Sequence, residues 1–232
     1  MKRFYSAVAV DHIESGWMVT LDGRSLQTQG GRAQVLPTEE VAELLATEWR
    51  EQGDEIDPAG FRHRDMADYA IDVIAKDPAS VIDKLMGYGE TDTLCYHADP
   101  EDALYRRQQA VWEPLLAELE QREGIRLRRI SGILHRAQPE ASLARLRDRL
   151  RAFDPFRLAA LEQLTTLAAS LCIGLAALEP AADADRLWDA SNLEEDWQAD
   201  LWGRDEEAQA RRDVRRRDFK AAHRFAMATV VK

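Results

Sequence analysis

The sequence is poor in the residues that usually announce chemistry. Its 232 residues contain two cysteines, Cys95 and Cys172, too few and too widely spaced for a disulfide framework or a zinc site. That scarcity suits a reducing compartment. Histidines stand at 12, 63, 97, 135 and 223, none at metal-ligand spacing from another His or from a Cys. There is no HExxH, no CxxC and no EF-hand loop. Gly30-Gly31 does not lead into a helix carrying Lys-Ser/Thr, as a phosphate loop would, and no Gly-x-Ser-x-Gly elbow occurs. Carboxylate pairs such as Glu194-Glu195 and Glu206-Glu207 are commonplace in an acidic chain. These absences leave little for an enzyme, and no cofactor or metal is expected.

Long apolar runs are missing too. The most apolar segment, Gln163 to Leu178, is uncharged for only sixteen residues and includes Gln163, two Thr and a Ser. It is short for a membrane span and reads as a buried helix, so no stable membrane insertion is expected. Met1-Lys2-Arg3-Phe4-Tyr5 passes directly into strand-like sequence, with neither a signal-peptide core nor an Arg- and Ser-rich presequence. The expected location is the cytoplasm. Excess positive charge is absent as well: 31 Lys and Arg against 42 Asp and Glu leave a net charge of −11, which speaks against nucleic acid as the main partner.

What the chain does contain is ordinary globular material, 45% hydrophobic and 31% charged. The charge is uneven. Residues 38–72 carry eleven acids against three bases, whereas 122–157 carry ten arginines against four acids. Such blocks suit either a protein-docking surface or solvated helix faces.

The first sixty residues predict a small sheet and one helix. Val8-Ala9-Val10 leads to a polar patch, Asp11 to Gly16; Trp17 to Leu21 follows as a strand, and Asp22-Gly23 is a hairpin signal. Ser25 to Thr28 and Ala33 to Leu36 follow as short strands. Pro37-Thr38-Glu39-Glu40 opens a helix with Val41, Leu44, Leu45 and Trp49 inward. The acidic connector from Asp54 to Gly60 marks a boundary, giving domains 1–60 and 61–232.

Helices dominate the remainder. Met66, Tyr69, Ala70, Val73 and Ile74 share one stripe, and Val81, Ile82, Leu85 and Met86 another that ends at Gly87. Asp99-Pro100 starts a long helix in which Pro114 predicts a kink or break. Ile125 to Arg128 alternates like an exposed strand that Ile130 to Leu134 would extend. Leu143, Leu146 and Leu150 mark a basic helix, and Asp154-Pro155 opens a buried one with Ser170 as an interior packing position. The closing helix runs from about Asp205 to Met227.

Before it lies a less usual stretch. One helix from about Asp185 to Gly203 would align Trp188, Ser191, Glu195, Gln198 and Trp202 on a single face. Indoles beside a carboxylate and an amide fit a core edge, and they also fit a protein-anchor site. His63, between Arg62 and Arg64, reads as an anion site or a plain surface cluster.

Motifs spread over nearly the whole chain sharpen this picture. They are Lys2-Arg3-Phe4-Tyr5, Leu21-Asp22-Gly23-Arg24, Leu36-Pro37-Thr38, Glu48-Trp49 and Ile56-Asp57-Pro58. They continue with Ala70-Ile71-Asp72, Tyr88-Gly89-Glu90-Thr91-Asp92, Leu94-Cys95-Tyr96, Arg107-Gln108, Trp112 with Pro114-Leu115-Leu116, Glu195-Asp196-Trp197-Gln198 and Trp202-Gly203. In this order they resemble the ATP-twelve family, assembly chaperones of the F-type ATP synthase. The resemblance implies an α+β protein, with a small N-terminal antiparallel-sheet-plus-helix domain followed by a larger orthogonal α-helical bundle. It also implies no catalysis and no cofactor. The implied partner is the alpha subunit of the catalytic head, held until the beta subunit replaces the chaperone. Eukaryotic relatives would act in the mitochondrial matrix. Glu195 matches a functionally important acidic position of the family, which makes Glu195, Asp196, Gln198 and Trp202 the expected partner-binding residues. Two alternatives stand beside this reading: a helical adaptor with another client, and a small-molecule enzyme built on the Trp-lined carboxylates.

Overall fold

The computed structural model describes residues 1–132, 136–203 and 205–230. Three strands open the chain: β1 (Val8–Ile13), β2 (Gly16–Leu21) and β3 (Arg24–Ser25), paired antiparallel in that order. The register runs from Val8 opposite Leu21 to Ile13 opposite Gly16. Asp22 and Gly23 both have positive φ, 47° and 78°, which is why an Asp-Gly pair makes this turn. The expected polar patch is partly strand. Asp11 and His12 stay in the ladder because the Thr20 hydroxyl donates to Asp11 at 2.9 Å and the His12 ring packs on Trp17.

Helix α1 (Glu39–Arg50) covers the sheet. Thr38 caps it, accepting from the Val41 amide at 3.1 Å. Val41, Leu45 and Trp49 are buried, and the Trp49 ring lies between Tyr5 and Phe61. Glu48 then starts α2 (Arg62–Tyr69) by accepting the His63 and Arg64 amides at 2.7 and 3.0 Å. A π-helical turn at Ala70–Ile74 follows. The extra residue in that turn breaks the 3.6-residue stripe, and Val73, expected inside, is 47% exposed. The turn places Asp72 against the Gly30-Gly31 loop, where it accepts from the Thr28 hydroxyl and the Gly30 amide at 2.9 and 2.8 Å.

The helical part contains α3 (Pro78–Glu90), β4 (Tyr96–His97), α4 (Ala103–Glu123), β5 (Ile130–Ser131) and α5 (Glu140–Arg151). It continues with α6 (Pro155–Ala168), α7 (Leu171–Ala176), α8 (Ala184–Ser191), α9 (Leu193–Trp202) and α10 (Glu206–Ala228). An N-terminal antiparallel sheet followed by helices is the α+β architecture expected.

Several boundaries differ from the sequence reading. α3 passes Gly87 to Glu90, and Gly89 within it sits where a Cβ would lie 3.1 Å from Leu171 Cδ2. α4 runs through Pro114 without interruption; buried Trp112, Leu115, Leu116 and Leu119 hold it in place. Ile125 to Arg128 is not a strand but a buried-edge segment tied to Glu120, which accepts the Leu127 amide at 2.6 Å. Among the described residues of the predicted extension, Ile130–Ser131 pairs, parallel to β4; Ile133, Leu134 and His135 lie outside the described residues.

Grouped by internal contacts, the chain forms two compact units. The first is Met1–Pro78 with Asp154–Ala160 and Ala221–Lys232, and the second is Ala79–Phe153 with Leu161–Lys220. The sheet and α1 lie wholly before residue 60, while the first unit also takes in later helical segments.

The helix expected from Asp154 to Leu178 is broken within the second unit. Ala169 has φ 51°, and Ser170 is extended and caps α7, its Oγ accepting from Ile173 N at 3.0 Å. Asp92 causes the break. Fully buried, its carboxylate accepts from Ser170 Oγ (2.8 Å), Cys172 N (2.9 Å) and Leu94 N (3.1 Å). Ser170 is therefore a buried helix cap rather than a mid-helix position. Burial pushes the Asp92 carboxyl above its usual range, and these hydrogen bonds oppose the shift in part.

Candidate functional site

The stretch expected as one helix from Asp185 to Gly203 is two helices. α8 is capped by Asp183, which accepts from the Asp185 and Arg186 amides at 2.9 and 3.1 Å, and it buries Leu187, Trp188 and Ala190. At Asn192 the backbone leaves helical geometry (φ −105°, ψ 15°). The side chains explain the departure: Asn192 Nδ2 donates to Trp188 O at 2.8 Å and Ser191 Oγ donates to the same oxygen at 2.8 Å. Local polar groups thus compete with the helical ladder, and the periodicity restarts at Leu193.

The break dissolves the single aromatic face. Trp188 is completely buried against Phe219, whereas Trp202 is 78% exposed. Ser191 belongs to the break itself. Glu195, Gln198 and Trp202 do remain together, on the solvent side of α9. With Ala199, Gly203, Ala208, Arg211 and Arg215 they line an open depression of about 510 Å³ against the start of α10. Leu201, also exposed, adds apolar surface.

Asp196 is employed differently from its neighbours. Its carboxylate forms a bidentate pair with Arg212 of α10, Nη2 to Oδ2 at 2.7 Å, both side chains being mostly covered. The Asp196 carboxylate raises the Arg212 guanidinium above its ordinary value. The opposite side of α9 borders a charged groove of about 760 Å³. Asp183, Asp185, Asp189 and Asp200 alternate there with Arg107, Arg186 and Arg216. Arg216 and Lys220 both hold Asp185, at 2.7 and 2.9 Å.

His63 and the arginines of the basic helix have partners within the chain. His63 is buried with Nδ1 2.7 Å from Glu48 Oε1, so the anion beside it is the chain's own carboxylate. In the basic helix, Arg145 donates to Glu123 O at 2.9 Å, Arg147 pairs with Asp83, Arg149 with Glu123 at 3.7 Å and Arg151 with Asp148 at 3.1 Å. Sequence reasoning gave no role to Gln108, Glu120 or Asp92, all buried hubs. Burial pulls the Glu120 carboxyl up, but Arg129 and the Leu127 amide outweigh it and hold the group below its usual value. A polar residue inside an apolar stripe, such as Gln108 three turns before Leu119, was the available signal.

An exposed indole beside an amide and a carboxylate, on a helix with Leu193 as its one buried side chain, has the composition of a protein-docking surface. Among the described residues no group of three or more His, Cys, Asp or Glu could hold a metal, and no helix is long and apolar enough to cross a membrane. Comparison with known proteins gives the chain its family. The family model "ATP12 chaperone protein" matches residues 2–120. The crystal structure of Atp12 from Paracoccus denitrificans superposes with a TM-score of 0.93 at 37% identity, covering 99% of this chain and 98% of that one. Atu1473 of Agrobacterium tumefaciens, described as a chaperone candidate, gives 0.94 at 35% identity over 99% and 86% of the two chains. The mitochondrial protein atp12 of Schizosaccharomyces pombe is 25% identical over 223 residues, 89% of this chain and 75% of its own length. The chain belongs to the ATP12 chaperone family, the family to which its sequence motifs pointed.

Proposed function

We propose that this chaperone binds the unassembled alpha subunit of the F-type ATP synthase catalytic head and keeps it from aggregating until the beta subunit takes its place. A subunit built to alternate in a ring carries apolar, edge-rich faces before its neighbours arrive, and such faces pair wrongly. A holder that must later yield needs a moderate interface of mixed character. The observation that carries the reading is the exposed face of α9, where Trp202 and Leu201 offer apolar area beside Glu195 and Gln198. Asp196 contributes by fixing that face through Arg212. The role is binding without catalysis, in keeping with relatives named as chaperones. Its place is the cytoplasm, where the buried free thiols of Cys95 and Cys172 stay reduced.

The test is co-expression with the alpha subunit alone. The expected result is a soluble alpha subunit that co-purifies with the chaperone. The Glu195→Lys variant, with thermal stability intact, is expected to lose most of that rescue. Normal rescue by the folded variant would remove Glu195 from the client surface. Recovery of a different protein in place of the alpha subunit would favour an adaptor with another client.

A further inference from the structure

α9 presents the candidate client face, yet apolar packing contributes little to its position. Of its ten residues only Leu193 is buried. Its other anchors are polar and come from two elements of the same compact unit. From α4, Gln108 reaches the first turn: its Nε2 donates to Glu194 Oε1 at 2.7 Å while its Oε1 accepts from Ala98 N at 2.8 Å. Gln108 is fully buried, so both ends of its amide are committed. Arg107, beside it, lies 3.4 Å from Asp200 and 5.8 Å from the Trp197 ring. From α10, Arg212 grips Asp196 in a bidentate pair. The contacts fall at positions 194, 196, 197 and 200, leaving 195, 198 and 202 facing out.

We infer that Gln108 and Arg212 are positioning residues that aim the α9 client face, Gln108 by locking the start of the helix and Arg212 by fixing its rotation. The inference rests on the client reading given above. Directional polar contacts suit this task. A buried amide accepts one geometry, whereas sliding apolar contacts accept many, and a bidentate guanidinium–carboxylate pair fixes an angle as well as a distance. It also gives the Arg107-Gln108 motif a physical purpose, since both residues hold α9 in place.

The chemistry at Gln108 provides a clean test. Gln108→Glu keeps an acceptor for the Ala98 amide but sets one carboxylate against that of Glu194. Combining it with Glu194→Gln restores a donor–acceptor pair with the roles reversed. Hydrogen exchange of amides 194–202 in the isolated protein reads the position of α9, and capture of co-expressed alpha subunit reads its consequence. The single variant is expected to exchange about tenfold faster across α9, with amides of α7 unchanged, and the double variant to return within about twofold of the parent. Alpha-subunit capture should fall and recover in parallel. If Gln108→Glu proves insoluble, Arg212→Gln on the better-hydrated side is expected to speed exchange across α9 by about fivefold or less in the isolated protein, again with amides of α7 unchanged. Unchanged α9 exchange in a folded single variant would overturn the positioning inference. Faster exchange that the double variant reverses, with capture constant throughout, would uphold the positioning of α9 and sink the view that α9 handles the client.

Discussion

Two interruptions, both in stretches whose sequence reads as continuous helix, teach different lessons. At Ala169–Ser170 the chain breaks inside the core: Asp92 binds the cap residue, and α7 beyond it is buried from Leu171 to Leu175. At Asn192 the chain breaks at the rim, and α9 beyond it buries Leu193 alone. The first break builds a packed corner from one buried carboxylate. The second releases a helix from apolar packing and leaves its orientation to hydrogen bonds and ion pairs. A rigid interior corner and a polar-tethered arm therefore arise from the same local device, a polar side chain that outcompetes the helical ladder.

The largest expected effect sits at the interior corner. Asp92→Ala strips partners from Ser170 Oγ and from two backbone amides in a fully buried site, and should cost about 3–5 kcal/mol in urea unfolding. Trp188 and Trp202, which the sequence places on one face, come next. Trp188→Ala should cost about 3–5 kcal/mol. Trp202→Ala should stay within about 0.5 kcal/mol while weakening client capture. Equal losses at the two positions would erase the distinction between core and arm.

A third expectation concerns pH. Burial raises the folded-state value of Asp92 above its unfolded one, so the folded state binds protons more readily. Stability from this group is then present below the unfolded value and is lost as pH rises through the folded value. Relative to the non-titrating Asp92→Asn variant, the parent should gain stability as pH falls toward the ordinary carboxylate range of about 4, measured by paired urea titrations. The smallest effect belongs to the arm. Arg212→Gln removes a mostly covered surface pair and should cost about 1 kcal/mol or less, with a loss that shrinks in salt. A loss near that of Asp92→Ala would mean that α9 is part of the core after all.

Much of the fold could be read from residue order. Short apolar runs and Asp22-Gly23 marked the hairpin, and Thr38 with Glu39-Glu40 marked the start of α1, because these signals act within a few residues. Pro114 misled for the opposite reason: packing of the buried residues around it overrode a local breaker. The two missed breaks depend on partners of unlike range. Ser170 answers to Asp92, nearly eighty residues earlier, which no periodicity can reveal. Asn192 answers to Ser191 and Trp188, a local signal hidden by a helical pattern that happened to stay in phase. The candidate site was legible as a cluster, since Glu195, Gln198 and Trp202 do share a surface, but its frame was not. Trp188 belongs to the core, and Asp196 binds Arg212.

The central claim is that the outward face of α9 meets the alpha subunit while its inward face does not. A photo-reactive residue placed singly at position 198, 202 or 193 in the co-expressed pair tests it directly. Crosslinks to the alpha subunit from 198 and 202 and none from 193 are predicted. Crosslinks absent from 198 and 202 in a pair that still co-purifies would contradict the account.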